Sequence, residues 1–172
     1  MRCLEGVVLS ANKIDEIIRD LNMILQKRRD VHETREIVSL PALVNDIKTL
    51  ISDLIEKENI VVETNLSVSR LFTVRSYLHS IFFNLISNAI KYRNPEIKSQ
   101  IAISSTRAGN KVVLNFSDNG LGIDLQAHSE KIFGLYKKFH LHVDGKGMGL
   151  YMVKTQVEML GVPGLLLNFP GT

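Results

Sequence analysis

A mixed α/β fold is what this sequence predicts, and three observations predict it. Apolar residues recur at three- and four-residue spacing in several segments, short runs rich in β-branched residues lie between them, and Pro and Gly punctuate the joins. At 172 residues the chain has room for about one domain of roughly 100–150 residues plus an appendage. Hydrophobic residues at 45% and charged residues at 23% suffice to bury a core, which excludes a disordered tail or a fibrous repeat.

In chain order, Ile14, Ile17, Ile18, Leu21, Ile24 and Leu25 make a narrow stripe within residues 10–30, flanked by Lys13, Glu16, Arg19, Lys27 and Arg28. That pattern predicts an amphipathic helix suited either to a helical seam or to packing on a domain body. Residues 30–40 are charged and lose the period, so they read as a linker with a domain boundary near residue 33. Ser39-Leu40-Pro41 then opens a second helix with Pro in its first turn, and Leu43, Val44, Ile47, Leu50, Ile51, Leu54 and Ile55 carry it to just before Asn59. Ile60-Val61-Val62-Glu63-Thr64 and Leu71-Phe72-Thr73-Val74 read as strands joined by a turn. A third helix over 76–92 stops at Asn94-Pro95, and 100–106 alternates with 111–116 across Ala108-Gly109-Asn110 as a hairpin. Residues 118–149 are irregular and contain glycines, and a last helix covers 149–160.

The formal charge of +3 comes from Lys and Arg interleaved with Asp and Glu, a weak electrostatic footprint, so no nucleic-acid partner is expected. Cys3 stands alone and cannot make an internal disulfide, which points to a reducing compartment. No stretch approaches the roughly 18 uncharged residues of a membrane span, and the first apolar run is too short for a signal peptide. The expected location is cytoplasmic, with a start inside a helical pattern suggesting a cut from a parent that membrane anchoring would suit.

Three segments carry candidate chemistry. On the third helix, Leu78, Ile81, Phe82, Leu85 and Ala89 form one face while Ser80, Asn84, Ser87, Asn88 and Lys91 fall on the other. Asn84 and Asn88 are four apart and Lys91 three further on, so two amides and an ammonium share a ridge. Amide oxygens can ligate Mg²⁺ and Lys can neutralise phosphates, although a solvated polar face gives the same pattern. Asp118-Asn119-Gly120-Leu121-Gly122-Ile123-Asp124 follows a strand, where the Asp118 carboxylate can accept from an exocyclic amine such as adenine's, and an ordinary turn reads alike. Gly145-Lys146-Gly147-Met148-Gly149-Leu150 opens the last helix, whose N-terminal N–H groups suit phosphate, and a flexible hinge is the alternative. It is no Walker loop, since His140 and Gly147 stand where Gly and Ser or Thr are needed, and Leu150 replaces the third Gly of a dinucleotide fingerprint.

Together, these segments resemble the sensor histidine kinases of two-component systems, in the gyrase/chaperone/histidine kinase superfamily. Asn84-Leu85-Ile86-Ser87-Asn88-Ala89-Ile90-Lys91-Tyr92 is similar to the N box, and the segments from Asp118 and Gly145 are similar to the two glycine boxes. Lys131-Ile132-Phe133-Gly134-Leu135-Tyr136-Lys137-Lys138-Phe139-His140 resembles the F box of the ATP lid, and the four motifs keep the family's order across residues 34–160. The resemblance implies a two-layer α/β sandwich of helices on one face of a mixed sheet, the Bergerat-type ATP-binding fold, preceded by an amphipathic helix. It implies that Asn88 holds Mg²⁺, Asn84 polarises the reacting region, Lys91 and Lys138 meet phosphates, and Asp118 reads adenine, with Asn84 and Lys138 catalytic. Gly120 and Gly122 would admit the base, Tyr92 and Ile123 border the nucleotide, and Phe133 anchor the lid. Gly145, Gly147 and Gly149, with Leu150, would wrap the phosphates of ATP or ADP.

The resemblance further implies that residues 1–32 are the C-terminal helix of a dimerisation and phosphoacceptor hairpin with its linker, and 33–172 the ATP-binding catalytic domain. The chain would transfer the γ-phosphoryl group to a histidine outside itself, for relay to a response-regulator receiver domain. A homodimer is implied for the full-length parent, and a monomer or weak dimer for this piece. His32-Glu33-Thr34-Arg35 superficially resembles the acceptor motif but falls in the linker, and His79, His128, His140 and His142 lack metal-site spacing. The segment from Leu160-Gly161 to Phe169 offers one strand where the family has two, so the C-terminal strands are expected to be truncated or altered. A serine kinase or ATPase of the same superfamily and a non-catalytic nucleotide-dependent interaction module are the competing functions.

Overall fold

Backbone hydrogen bonding sorts residues 34–123, 132–134, 147–161 and 165–168, the part of the chain this computed structural model describes, into six strands and four helices. The chain divides between Thr34 and Arg35, and every described element lies in the second unit, Arg35–Thr172. The helix expected over 10–30 lies outside the described residues.

β1 (Glu36–Ser39) leads directly into α1 (Leu40–Leu50). Ser39 is the N-cap, its hydroxyl accepting from the Ala42 N–H at 3.5 Å, and Pro41 sits in the first turn where a missing N–H costs nothing. The strand corrects the expected linker: Glu36–Ser39 pairs antiparallel with β3 (Arg70–Thr73), Ile37 opposite Phe72. The second helix also ends early. It breaks at Ile51 (φ −117°, ψ 22°), and a short α2 (Ser52–Lys57) follows with no buried residue. The Thr49 hydroxyl donates back to the Asn45 carbonyl at 3.0 Å, the kind of local bond that competes with the helical ladder. Leu50 is 66% and Leu54 40% exposed, so the buried face of α1 is Leu40, Leu43, Val44 and Ile47 only.

The strands expected at 60–64 and 71–74 are β2 (Val61–Leu66) and β3, but they belong to different sheets. β2 pairs parallel with β4 (Gln100–Ala108), which pairs antiparallel with β5 (Lys111–Asp118) through a two-residue turn where Gly109 takes φ 60°. β6 (Leu165–Asn168) adds parallel to β5, giving a mixed sheet in the order β2-β4-β5-β6. α3 (Arg75–Lys91) and α4 (Gly149–Leu160) supply the helical layer, and α4 ends at Gly161 in the left-handed conformation.

Burial alternates along β4 and β5, so Ile101, Ile103, Val112, Leu114 and Phe116 share one face. There they join a single core with Leu78, Ile81, Phe82 and Ile86 of α3 and Val153 and Leu160 of α4. The Phe82 and Phe116 rings meet edge to face at 4.8 Å. On the opposite sheet face Asn115 donates to Ser104 at 3.2 Å. Helices therefore cover one face of a mixed sheet, and α3 keeps its second face half-buried and polar. No described helix is long and apolar enough to cross a membrane.

Candidate functional site

The polar ridge of α3 faces the start of α4. Asn84 donates through Nδ2 to the Ser80 carbonyl at 2.8 Å, with a longer contact of 3.4 Å to the Ser80 hydroxyl. Its Oδ1 looks toward Gly149, where an added Cβ would stand 3.4 Å from it and only 3.0 and 3.3 Å from Nδ2 and Oδ1 of Asn88. The two amides and the first residue of α4 are thus in contact, and glycine is what lets them approach. Met148 gives α4 no side-chain cap and no acid lies in its first turn, so neither compensates the positive end of the helix. Gly147, just before it, takes φ 69°.

A second contact joins the end of β5 to the end of α3. Asp118 Oδ1 accepts from the Gly120 N–H at 2.9 Å, and Leu121 donates to the Tyr92 carbonyl at 2.9 Å. A Cβ on Gly120 would lie 2.6 Å from that carbonyl oxygen and 2.7 Å from Asp118 Oδ1, so no other residue fits without backbone movement. Asn119 holds the turn from the other side, accepting from the Gln100 N–H at 2.8 Å and donating to the Lys98 carbonyl at 2.9 Å. Asp118 itself is exposed, and a carboxylate with one such bond retains acceptor capacity for a ligand amine. Gly122 takes φ 66°, and Ile123 beside it is half-buried.

The Lys91 ammonium lies over the Tyr92 ring, 5.2 Å from its centroid, and burial pushes the Tyr92 hydroxyl above its usual pKa. Phe133 receives the Lys154 ammonium over its ring at 5.9 Å, which ties it to α4. Leu150 is half-buried against the hydrophobic core. Lys138, Gly145, His32, His128, His140 and His142 lie outside the described residues, and His79 stacks on Phe83 at 6.5 Å. Among the described residues no three His, Cys, Asp or Glu side chains gather as a metal cage. Asn84 and Asn88 beside an uncapped helix end instead suit Mg²⁺ arriving with phosphate ligands of its own.

Two contributors were not evident from sequence. Gln156 donates from α4 to the Ser80 hydroxyl at 2.8 Å, and the Tyr92 carbonyl anchors the turn after β5. The only sequence signal for Gln156 is its place seven residues after Gly149, two turns along the same face.

Comparison with known proteins gives a family match over residues 73–165, more than half of the chain, described as "Histidine kinase-, DNA gyrase B-, and HSP90-like ATPase". The histidine protein kinase SaeS of Staphylococcus epidermidis is 23% identical over 161 residues, 91% of this chain and 46% of SaeS. This chain therefore spans about half the length of that relative. Among solved structures, the Acinetobacter baumannii histidine kinase AdeS matches with TM-score 0.71 at 18% identity, covering 90% of this chain and 72% of that one. Full-length ShkA in complex with AMPPNP matches with TM-score 0.70 at 19% identity, covering 91% and 34%. At these identities the likeness shows the fold, the sandwich of helices on a mixed sheet that the sequence leads one to expect.

Proposed function

Because this chain belongs to the histidine kinase-, DNA gyrase B- and HSP90-like ATPase family, we propose that it is the ATP-binding catalytic portion of a two-component sensor histidine kinase. Its reaction is transfer of the γ-phosphoryl group of Mg-ATP to a histidine outside this chain, leaving ADP. The observation that carries this reading is the contact of Gly149 with Asn84 and Asn88, which supports one pocket shared by α3 and the start of α4.

In this reading Asp118 accepts from the adenine amine, while Gly120 and Gly122 keep the wall thin beneath the base. Tyr92 and Ile123 border the nucleotide. The N–H groups of Gly145, Gly147, Gly149 and Leu150 receive phosphate oxygens at the positive end of α4, and Lys91 and Lys138 add charge there. Asn88 would hold Mg²⁺, which when bound neutralises and orients phosphate oxygens. Asn84 polarises the reacting region and Phe133 anchors the lid. The work asked of these residues is positioning and electrostatic stabilisation, because phosphoryl transfer needs little covalent help. Partners of the longer protein are a phosphoacceptor hairpin, to which residues 1–32 contribute a helix, a second copy, and a response-regulator receiver domain in the cytoplasm. This piece alone is a monomer or weak dimer and does not phosphorylate itself.

Calorimetric titration with Mg-ADP, run beside Asp118→Asn with circular dichroism on both proteins, tests the proposal. Wild type should bind, and the variant should lose about 1–3 kcal/mol, as when a charged hydrogen-bond partner is removed. A folded wild type that ignores Mg-ADP would sink the kinase reading.

A further inference from the structure

Gln156 occupies a core position that an apolar residue would fill better. It is 5% exposed, its Oε1 has no hydrogen-bond partner among the described residues, and burying an amide incompletely satisfied costs stability. What the amide does make is one bond, Nε2 to the Ser80 hydroxyl at 2.8 Å, and Ser80 in turn accepts Asn84 Nδ2 at its carbonyl, 2.8 Å, with the hydroxyl 3.4 Å away. α4 therefore touches the α3 ridge twice, with Gly149 on Asn84 and Asn88 and with Gln156 two turns later on Ser80.

We propose that Gln156 and Ser80 are positioning residues for Asn84, fixing its amide so that the carbonyl oxygen, and not the NH₂, faces the start of α4. An asparagine amide is nearly symmetric in shape, and a half-turn about its last torsion would present two N–H donors where an oxygen is needed. The Ser80 carbonyl accepts Nδ2 at 2.8 Å, and the hydroxyl, which accepts from Gln156 at 2.8 Å, lies 3.4 Å from the same Nδ2, so Ser80 and the Gln156 that holds it stand together on the donor side of Asn84. The link also couples the two helices that form the pocket. This inference rests on the nucleotide reading above, in which an Asn84 oxygen serves the phosphate region.

The test uses Gln156→Leu and Ser80→Ala in the full chain, with Ser80→Thr as the variant that keeps the hydroxyl. In nucleotide-free protein, the ¹⁵N side-chain amide resonances of Asn84 should shift and exchange faster with water in Gln156→Leu and Ser80→Ala, and stay in place in Ser80→Thr. Calorimetry should show Mg-AMPPNP affinity falling about ten-fold in the first two, with metal-free ADP affinity changed less than about two-fold, the scale expected when a residue supporting a ligand is removed. Unmoved Asn84 resonances in folded Gln156→Leu, or equal losses for both nucleotides, would overturn the assignment while the wild type still binds. If Gln156→Leu fails to fold, Ser80→Ala decides on the same two readouts. A wild type that binds neither nucleotide overturns the proposed function and this assignment with it.

Discussion

Gly149 rests on the side-chain amide of Asn88: a Cβ at Gly149 would stand 3.0 Å from Nδ2 and 3.3 Å from Oδ1. Helix propensity alone favours alanine over glycine by up to about 1 kcal/mol, so the residue at the first position of α4 answers to this contact and not to the helix.

Gly149→Ala therefore separates stability from binding. The helical gain and the displacement of Asn88 nearly cancel in the unfolding free energy, leaving it within about 1 kcal/mol of wild type. The amides must shift by a few tenths of an ångström, and Mg-ADP affinity should fall at least about ten-fold. Urea denaturation beside calorimetry checks both halves; unchanged affinity in a folded variant would mean that the amides and the helix start do not share a ligand.

Gly120→Ala should behave differently, because what it meets is backbone. A Cβ 2.6 Å from the Tyr92 carbonyl oxygen cannot be relieved by a side-chain rotation, so the Leu121 to Tyr92 hydrogen bond must break or lengthen. The expected cost is about 1–3 kcal/mol of stability together with loss of Mg-ADP binding. Thermal unfolding within experimental error of wild type would contradict the close approach.

How far the site was legible in the sequence follows from what each residue needs. Asn84, Asn88 and Lys91 lie on the helix that the spacing predicts, and Asp118 and Gly120 stand at the end of a strand as predicted, since local geometry alone puts them there. β1 was missed because Arg35-Glu36 reads as charged linker, while its strand character depends on β3, which lies over thirty residues away. The break at Ile51 was missed because the apolar period runs through it, though Leu50 and Leu54 face solvent. Gln156 could not be singled out, as its role requires Ser80, 76 positions earlier, to be across from it. Long-range partners account for β1 and Gln156, whereas the break at Ile51 is local and hidden by a period that continues through it.

Phe82 should carry the largest single share of core stability. It is fully buried and its ring meets Phe116 across the helix–sheet interface at 4.8 Å. Phe82→Ala leaves a cavity in addition to the lost transfer energy, and about 3–5 kcal/mol of destabilisation is expected by denaturant titration. Because the same helix carries Asn84 and Asn88, binding should weaken in parallel with the folded fraction.

The raised Tyr92 hydroxyl pKa sets a stability trend at high pH. Burial favours its neutral form, so the unfolded chain, ionising near 10.0, releases the proton first. This contribution is fully present below the unfolded value and is lost as pH rises through the folded one. Urea midpoints compared between about pH 9 and about pH 11 should fall more steeply for wild type than for Tyr92→Phe. Identical slopes would show that the hydroxyl is equally solvated in both states.

Arg35, at the start of the second unit, closes the far end of α4 by donating from its guanidinium to the Leu160 carbonyl at 2.7 Å. The last turn of α4 contains no basic residue of its own, so Arg35 supplies from a distant point in sequence the cation that the negative helix end favours. Because the opposite end of the same helix holds Gly149 against Asn88, loosening this cap lets the helix fray away from the pocket rather than into it. Arg35→Ala should cost about 1–2 kcal/mol, the range for a charged hydrogen bond at a helix terminus, and Arg35→Lys should recover part of it by restoring charge without the guanidinium's reach. Mg-ADP affinity should stay within about two-fold of wild type under conditions where the variant is fully folded. An Arg35→Ala chain as stable as wild type would show that the contact adds nothing beyond solvent, and a large affinity loss in a folded variant would show that α4 moves as a rigid rod between its two ends.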